Sequence, residues 1–191
     1  MQSAIRYTTA YLDALSESRD GTRYEIIDGE LYVSSQSHWE HQDTSTKIAS
    51  GLDQWSMSTG LGISNIAPGV ILSEYESVAP DIVWISFARL REGLRPDGKL
   101  HLPPEIVIEI LSSGSRNIRR DREAKPKLYD ATGVAEYWIV DWRMRTIDVF
   151  RRLDAQLSFV ETLGDGERLT TPILPGFDKA IEGLWAPRFE M

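Results

Sequence analysis

Glu109 stands where a carboxylate is least expected. The run Pro103-Pro104-Glu105-Ile106-Val107-Ile108-Glu109-Ile110-Leu111 is β-branched and apolar nearly throughout, the composition of a strand covered on both faces. A carboxylate in that setting loses several kcal/mol of hydration unless a metal ion, a basic partner or a proton compensates it. The run Pro80-Asp81-Ile82-Val83-Trp84-Ile85 opens in the same way, with an acid leading into an apolar strand. Two strand-borne carboxylates, Asp81 and Glu109, suit a hard divalent cation such as Mg²⁺, which takes oxygen ligands and often only one or two carboxylates. Such an ion polarises a phosphoryl oxygen and generates a nucleophile from water. The plainer alternative stays open at this point: Asp81 caps a turn after Pro80, and Glu109 pairs with a buried Arg.

Lys125 is the third candidate. Ile118, Asp121, Lys125 and Leu128 follow 3, 4, 3 spacing, the apolar stripe of a helix, so Lys125 points to the core side. A lysine aimed at two carboxylates would neutralise them, orient a water or stabilise developing negative charge. A lysine snorkelling along a sheet edge has the same sequence signature. His41 lies on the inner face of another helical pattern, either as a core histidine or as a site residue. His38 and His41 lack the further His or Cys ligands that zinc would need. Glu30 follows an Asp-Gly turn and by itself reads as an ordinary hairpin residue. No glycine-rich phosphate loop, nucleophile elbow or dinucleotide fingerprint occurs. Ser112, Ser113 and Ser115 have no His–acid pair placed beside them.

These residues need elements to hold them. Thr8–Glu17 predicts a short helix, and residues 24–33 predict a β-hairpin turning at Asp28-Gly29. His41, Ser45, Ile48, Leu52 and Trp55 define one face of a helix over 38–57, ended by Gly60 and Gly62. Strands are expected at 62–66, 70–72, 81–85 and 105–111, with a short helix at 87–93. A second long helix over 116–131 ends at Gly133. Strands at 137–140 and 146–150 follow, and weaker ones at 156–162 and 167–171 complete a C-terminal meander. The order is α+β rather than a regular βαβ alternation.

With 191 residues, the chain reads as a single domain over 1–191. Its 41% hydrophobic and 26% charged content is that of a folded protein. The absence of cysteine excludes disulfides and thiolate chemistry, and cytoplasmic residence is the default. No apolar run is long enough to span a membrane, and the N-terminus lacks the apolar core of a signal peptide. The net charge is −8, yet residues 116–152 hold ten basic and six acidic side chains, so that segment is +4 within an acidic chain. Such asymmetry is compatible with a local polyanion-binding face or with a solvated surface.

Taken in order, the motifs resemble the PD-(D/E)xK nuclease superfamily and, more narrowly, the Uma-two family of restriction-endonuclease-like proteins, over about residues 8–186. The matching pieces are Tyr24-Glu25-Ile26-Ile27-Asp28-Gly29-Glu30-Leu31, His41-Gln42, Ala79-Pro80-Asp81-Ile82-Val83 and Pro104-Glu105-Ile106-Val107-Ile108-Glu109-Ile110-Leu111-Ser112. Asp121-Arg122-x-x-Lys125-x-x-x-Tyr129 and Gly133-Val134-x-Glu136-Tyr137-Trp138-Ile139-Val140-Asp141 follow.

The resemblance implies an α+β fold with a restriction-endonuclease-like αβββαβ core, a mixed central sheet, an N-terminal hairpin and a C-terminal β-meander. It implies a metal-dependent endonuclease acting on DNA, with Mg²⁺ or Mn²⁺ held by Asp81 and Glu109. The superfamily's lysine normally stands two positions after the Glu, where this chain has Leu111, so Lys125 is the matching position here. Glu30 and His41 match supplementary site positions. Arg116, Arg119, Arg120 and Lys127 would meet the nucleic-acid backbone, and a homodimer would supply two sites for two strands. The alternative is a catalytically inactive nuclease fold serving as a binding or assembly module. Pro126 directly after Lys125 predicts that the helix either starts near Lys125 or kinks there.

Overall fold

The apolar runs around Asp81 and Glu109 form neighbouring central strands, Ile82–Ser86 (β6) and Ile106–Ile110 (β7). The structure, a computed structural model, describes residues 5–15, 22–34, 36–112 and 114–187. Before β6 come α1 (Thr9–Ala14), β1 (Arg23–Ile27), β2 (Glu30–Ser34), α2 (Trp39–Thr59), β3 (Gly62–Ile66), β4 (Val70–Ser73) and β5 (Glu76–Val78). The last residues of the predicted first helix, Ser16 and Glu17, lie outside the described residues, as does Ser113. The helix α3 (Phe87–Gly93) links β6 to the loop before β7. After β7 the chain forms α4 (Ser115–Arg119), a π-helical turn (Arg120–Ala124) and α5 (Lys125–Thr132). The remaining elements are β8 (Glu136–Asp141), β9 (Thr146–Leu153), β10 (Gln156–Leu163), β11 (Arg168–Thr170), β12 (Asp178–Ala180) and a 3₁₀ turn (Ile181–Leu184).

A six-stranded mixed sheet has the order β10-β9-β8-β7-β6-β3. Its neighbours are antiparallel except β7 and β8, which run parallel. A parallel pair needs a crossover, and α4, the π turn and α5 supply it. The alternation of β7 divides the core. Ile106, Ile108 and Ile110 pack with Ile48 and Leu52 of α2 on one face. Val107 and Leu111 pack with Leu128 and Tyr129 of α5 on the other. Glu109 shares the parity of Val107 and Leu111, so its carboxylate leaves the sheet toward α5.

A second sheet, β2-β1-β5-β4, covers that same side. Its first hairpin turns as the sequence predicts, with Asp28 at φ 50° and Gly29 at φ 73°, both in the left-handed region. The predicted inner face of α2 is also as expected, with His41, Ser45, Ile48 and Leu52 buried. Two differences from expectation concern connectivity. The strand β5 has only three residues, too short for a periodic signal. The C-terminal meander divides: β9 and β10 extend the large sheet, but β11 leaves it and pairs with β12. Leu169 on β11 is fully buried with Leu174 and Phe177 against the α2-side core, so burial of that side chain draws β11 across the sheet face.

Gly62 on β3 allows the close approach to β6. A Cβ there would meet the Ile85 carbonyl oxygen and the Trp84 ring. That ring cannot withdraw freely, because its Nε1 donates to Ser56 Oγ at 2.8 Å in the interior. Gly62→Ala should destabilise the protein by roughly 1–3 kcal/mol, the usual cost of overpacking, measured by urea unfolding.

Candidate active site

The antiparallel ladder pairs Ile82 with Ile108. One step further along it, Asp81 stands opposite Glu109, and cross-strand partners project to the same face. The Ile110 N–H donates to Asp81 Oδ2 at 2.9 Å, which fixes this junction. Arg23 Nη1 lies 2.8 Å from Asp81 Oδ1, and His41 Nε2 lies 3.2 Å from Asp81 Oδ2. Burial pushes the Asp81 carboxyl up, but His41, Arg23 and the Ile110 N–H outweigh it and hold it well below the usual carboxylate range.

Lys125 reaches Glu109 from α5. Its Nζ donates to Glu109 Oε1 at 2.7 Å, and Tyr129 Oη donates to the same oxygen at 3.0 Å. The ammonium also lies 3.0 Å from Glu25 Oε1 and 3.6 Å from Asp121 Oδ1. Arg120 in turn lies 3.1 Å from Glu25 Oε2 and 2.8 Å from Asp121 Oδ1. Side-chain exposure is 1% for both Lys125 and Glu109 and 2% for Glu25, so the network sits in the interior.

Four carboxyl groups (Glu25, Asp81, Glu109, Asp121) thus meet three fixed cations (Arg23, Arg120, Lys125). Burial lowers the proton affinity of Lys125, but Glu109, Glu25 and Asp121 more than restore it, so the amine stays charged. Burial also pushes the Glu25 carboxyl up, and Lys125, Arg120 and the Ala79 N–H overcome it and bring it below its ordinary value. The surplus of acids over cations is relieved at Glu109, which takes up a proton. Burial pushes its carboxyl up to about 8 against the pull of Lys125, with Asp81, Asp121 and Glu25 adding to the rise. Among the described residues no three His, Asp or Glu side chains converge as a ready-made metal cage. Asp81 and Glu109 on one face do fit a hard cation that keeps most of its waters, as Mg²⁺ does, the cation taking the place of the Glu109 proton.

The π turn aims Lys125. The Lys125 N–H bonds to the Arg120 carbonyl, five residues back, instead of four. The same spacing would assign the Asp121 carbonyl to residue 126, which is proline and has no N–H. Tyr137 on β8 fills that vacancy, its Oη donating to the Asp121 carbonyl at 2.8 Å. α5 starts at Lys125 with Pro126 in its first turn, one of the two outcomes that the proline predicts.

The structure therefore pairs Asp81 with His41 and Glu109 with Lys125, in two clusters whose acids stand opposite each other across β6 and β7. Glu30 lies apart from both: its side chain is 60% exposed and holds Arg116 at 3.4 Å and the Tyr32 hydroxyl at 3.1 Å. Of the four expected backbone-binding residues, Arg116, Arg119 and Lys127 are exposed, whereas Arg120 is buried within the carboxylate network. Sequence reasoning did not single out Glu25, although it carries the same signal as Glu109, an acid beside Ile26 and Ile27 in a strand. Arg23 gave no such signal, since it stands at the strand's polar end.

A sequence model of the Uma2 family, described as "Putative restriction endonuclease", matches residues 9–182. Among solved structures, the chain is similar to "a putative nuclease belonging to DUF820" from Anabaena variabilis, with a TM-score of 0.72 and 17% identity, covering 93% of this chain and 96% of that one. At that identity the likeness is one of fold. No curated protein matches the chain.

Two outcomes follow from the network. Tyr137→Phe strands a buried carbonyl and should cost about 1–3 kcal/mol in chemical denaturation. Because the folded Glu109 carboxyl binds its proton more tightly than the unfolded one, stability in EDTA should fall as pH rises from about 5 toward 8. Glu109→Gln should flatten that slope in unfolding curves taken across this window.

Proposed function

The chain belongs to the Uma2 family, and from that membership and the site geometry we propose that it is a divalent-metal-dependent endonuclease hydrolysing phosphodiester bonds in DNA. The observation that carries this reading is the charged Lys125 held at 2.7 Å from Glu109, on the face where Asp81 stands opposite. Asp81 and Glu109 would hold Mg²⁺ or Mn²⁺, which supplies Lewis-acid polarisation of the phosphoryl group and activation of water. Lys125 keeps its proton, so it acts as a cation and not as a general base. It orients Glu109 and stabilises negative charge developing on the phosphoryl oxygens. Tyr129 holds the same Glu109 oxygen from the side and limits its rotation. Arg23 and His41 orient Asp81 through its two oxygens. Glu25 and Arg120 fix the ammonium from behind, so its position is set before substrate arrives.

One observation favours a second reading, a nuclease fold that binds without cutting. Both Asp81 oxygens and Glu109 Oε1 already accept protein donors, so a cation must displace or share them. The two readings separate in one assay. Supercoiled and single-stranded DNA are incubated with the protein in Mg²⁺ or Mn²⁺, beside Glu109→Ala, Lys125→Ala and an EDTA control. The nuclease reading expects metal-dependent nicking, lost by a factor of at least about 100 in both variants, assayed at a temperature where circular dichroism shows each of them folded. Cleavage that survives Glu109→Ala would remove this site from the chemistry. Binding without cleavage would leave the second reading.

A further inference from the structure

Two cavities meet at Arg120. One, of about 270 Å³, gives access to Asp81 and is bounded by Arg23, Ser34, Gln42 and Ser112. The other, of about 360 Å³, shares Arg120 with it. It is bounded by Tyr32, Arg116, Arg119 and Lys127, with Glu30 and Glu123 as its acids. Three exposed cationic and two acidic side chains thus border the second chamber of a protein whose net charge is −8, the charge of Arg120 being committed to Glu25 and Asp121. The acids pair with Arg116 and Arg119 at exposed positions, at 3.4 Å and 2.9 Å. Exposed pairs of this kind contribute little and yield readily to a phosphate.

The catalytic carboxylates are deep. The side chains of Asp81, Glu109 and Lys125 are 8%, 1% and 1% exposed. A phosphodiester in a duplex lies on a convex rim, with its partner strand and both grooves beside it. Such a rim reaches the floor of a recess of about 270 Å³, below the roughly 300–1,000 Å³ of a small-ligand pocket, less readily than a single strand does. An unpaired strand has no such obstruction. It also exposes base faces, for which the second chamber offers the Tyr32 ring, with the Arg116 guanidinium 5.6 Å from the ring centroid. Aromatic and guanidinium surfaces within a basic groove are the usual means of holding single strands.

We propose that the substrate is unpaired DNA: a single strand occupies both chambers around Arg120, its backbone on Arg116 and Lys127, with the scissile phosphate delivered to Asp81 through the smaller one. This rests on the nuclease reading for the cleavage step, but the strand preference is a property of binding and can be read without it.

The test is fluorescence anisotropy in EDTA, where nothing is cut. It compares a labelled single-stranded oligonucleotide with its blunt duplex of equal length, for the wild type and for Arg116→Ala/Lys127→Ala. Both substituted residues are exposed, so the fold should be unaffected. The expected result is single-strand binding at least about tenfold tighter than duplex binding, with that advantage lost in the double variant. Duplex binding of equal or greater strength overturns the proposal, as does a preference unchanged in the double variant. A parallel cleavage assay in Mn²⁺ keeps the two readings apart. A retained strand preference without cleavage defeats the nuclease reading alone, and efficient cutting of blunt duplex defeats the unpaired-strand proposal alone.

Discussion

The placement of a lysine ammonium beside a glutamate carboxylate, both out of water, governs the architecture around them. An ammonium and a carboxyl group desolvated together are stable only when every remaining lone pair and proton is satisfied. Lys125 and Glu109 meet that demand by recruiting Tyr129 from the same helix, Glu25 from the small sheet and Asp121 from the turn before. Each recruited acid then needs its own partner, and Arg120 serves two of them. The network ties β1, β7, the π turn and α5 together, so the small sheet is bound to the large one by charge as well as by the apolar contacts of Ile27, Val78 and Val107.

The crossover between β7 and β8 carries this cluster because a connection between parallel neighbours must pass over the sheet face. A regular α-helix through Pro126 would leave a carbonyl without a donor and set residues 120 and 125 on a different rotation. The π turn absorbs one extra residue in the interval where the chain supplies Arg120, Asp121 and Lys125. Tyr137 then satisfies the remaining carbonyl from the sheet below. Proline, π turn and tyrosine therefore form one device: the first removes a donor, the second redistributes the ladder and the third restores the hydrogen bond.

Beyond the buried network, the molecule presents its basic side chains on α4, the π turn and α5, next to the mouth that leads to Asp81. Arg120 divides the two regions. Its guanidinium is committed to Glu25 and Asp121, while its side chain borders both cavities. A chain that is acidic overall can still attract a polyanion here, because screening over about 8–10 Å at ordinary salt lets the local balance prevail over the distant total.

Much of the fold is legible in the sequence. Alternation and β-branching located β6 and β7, a 3-and-4 spacing located the inner face of α2, and Asp-Gly marked the hairpin, because these signals are local. Asp81, Glu109 and Lys125 were legible for a related reason: each breaks the pattern of its own element, and a charge inside an apolar period demands an explanation. Glu25 offered the same signal and Arg23 none, and only the three-dimensional arrangement put them beside Lys125 and Asp81. The separate pairing of β11 with β12, and the split of the basic residues into a buried Arg120 and exposed neighbours, likewise belong to the tertiary structure. The sequence by itself determined which residues could not be left in water or in oil. The tertiary structure decided which of them compensate one another, because that depends on contacts between residues as far apart as Glu25 and Lys125, which no period along the chain encodes.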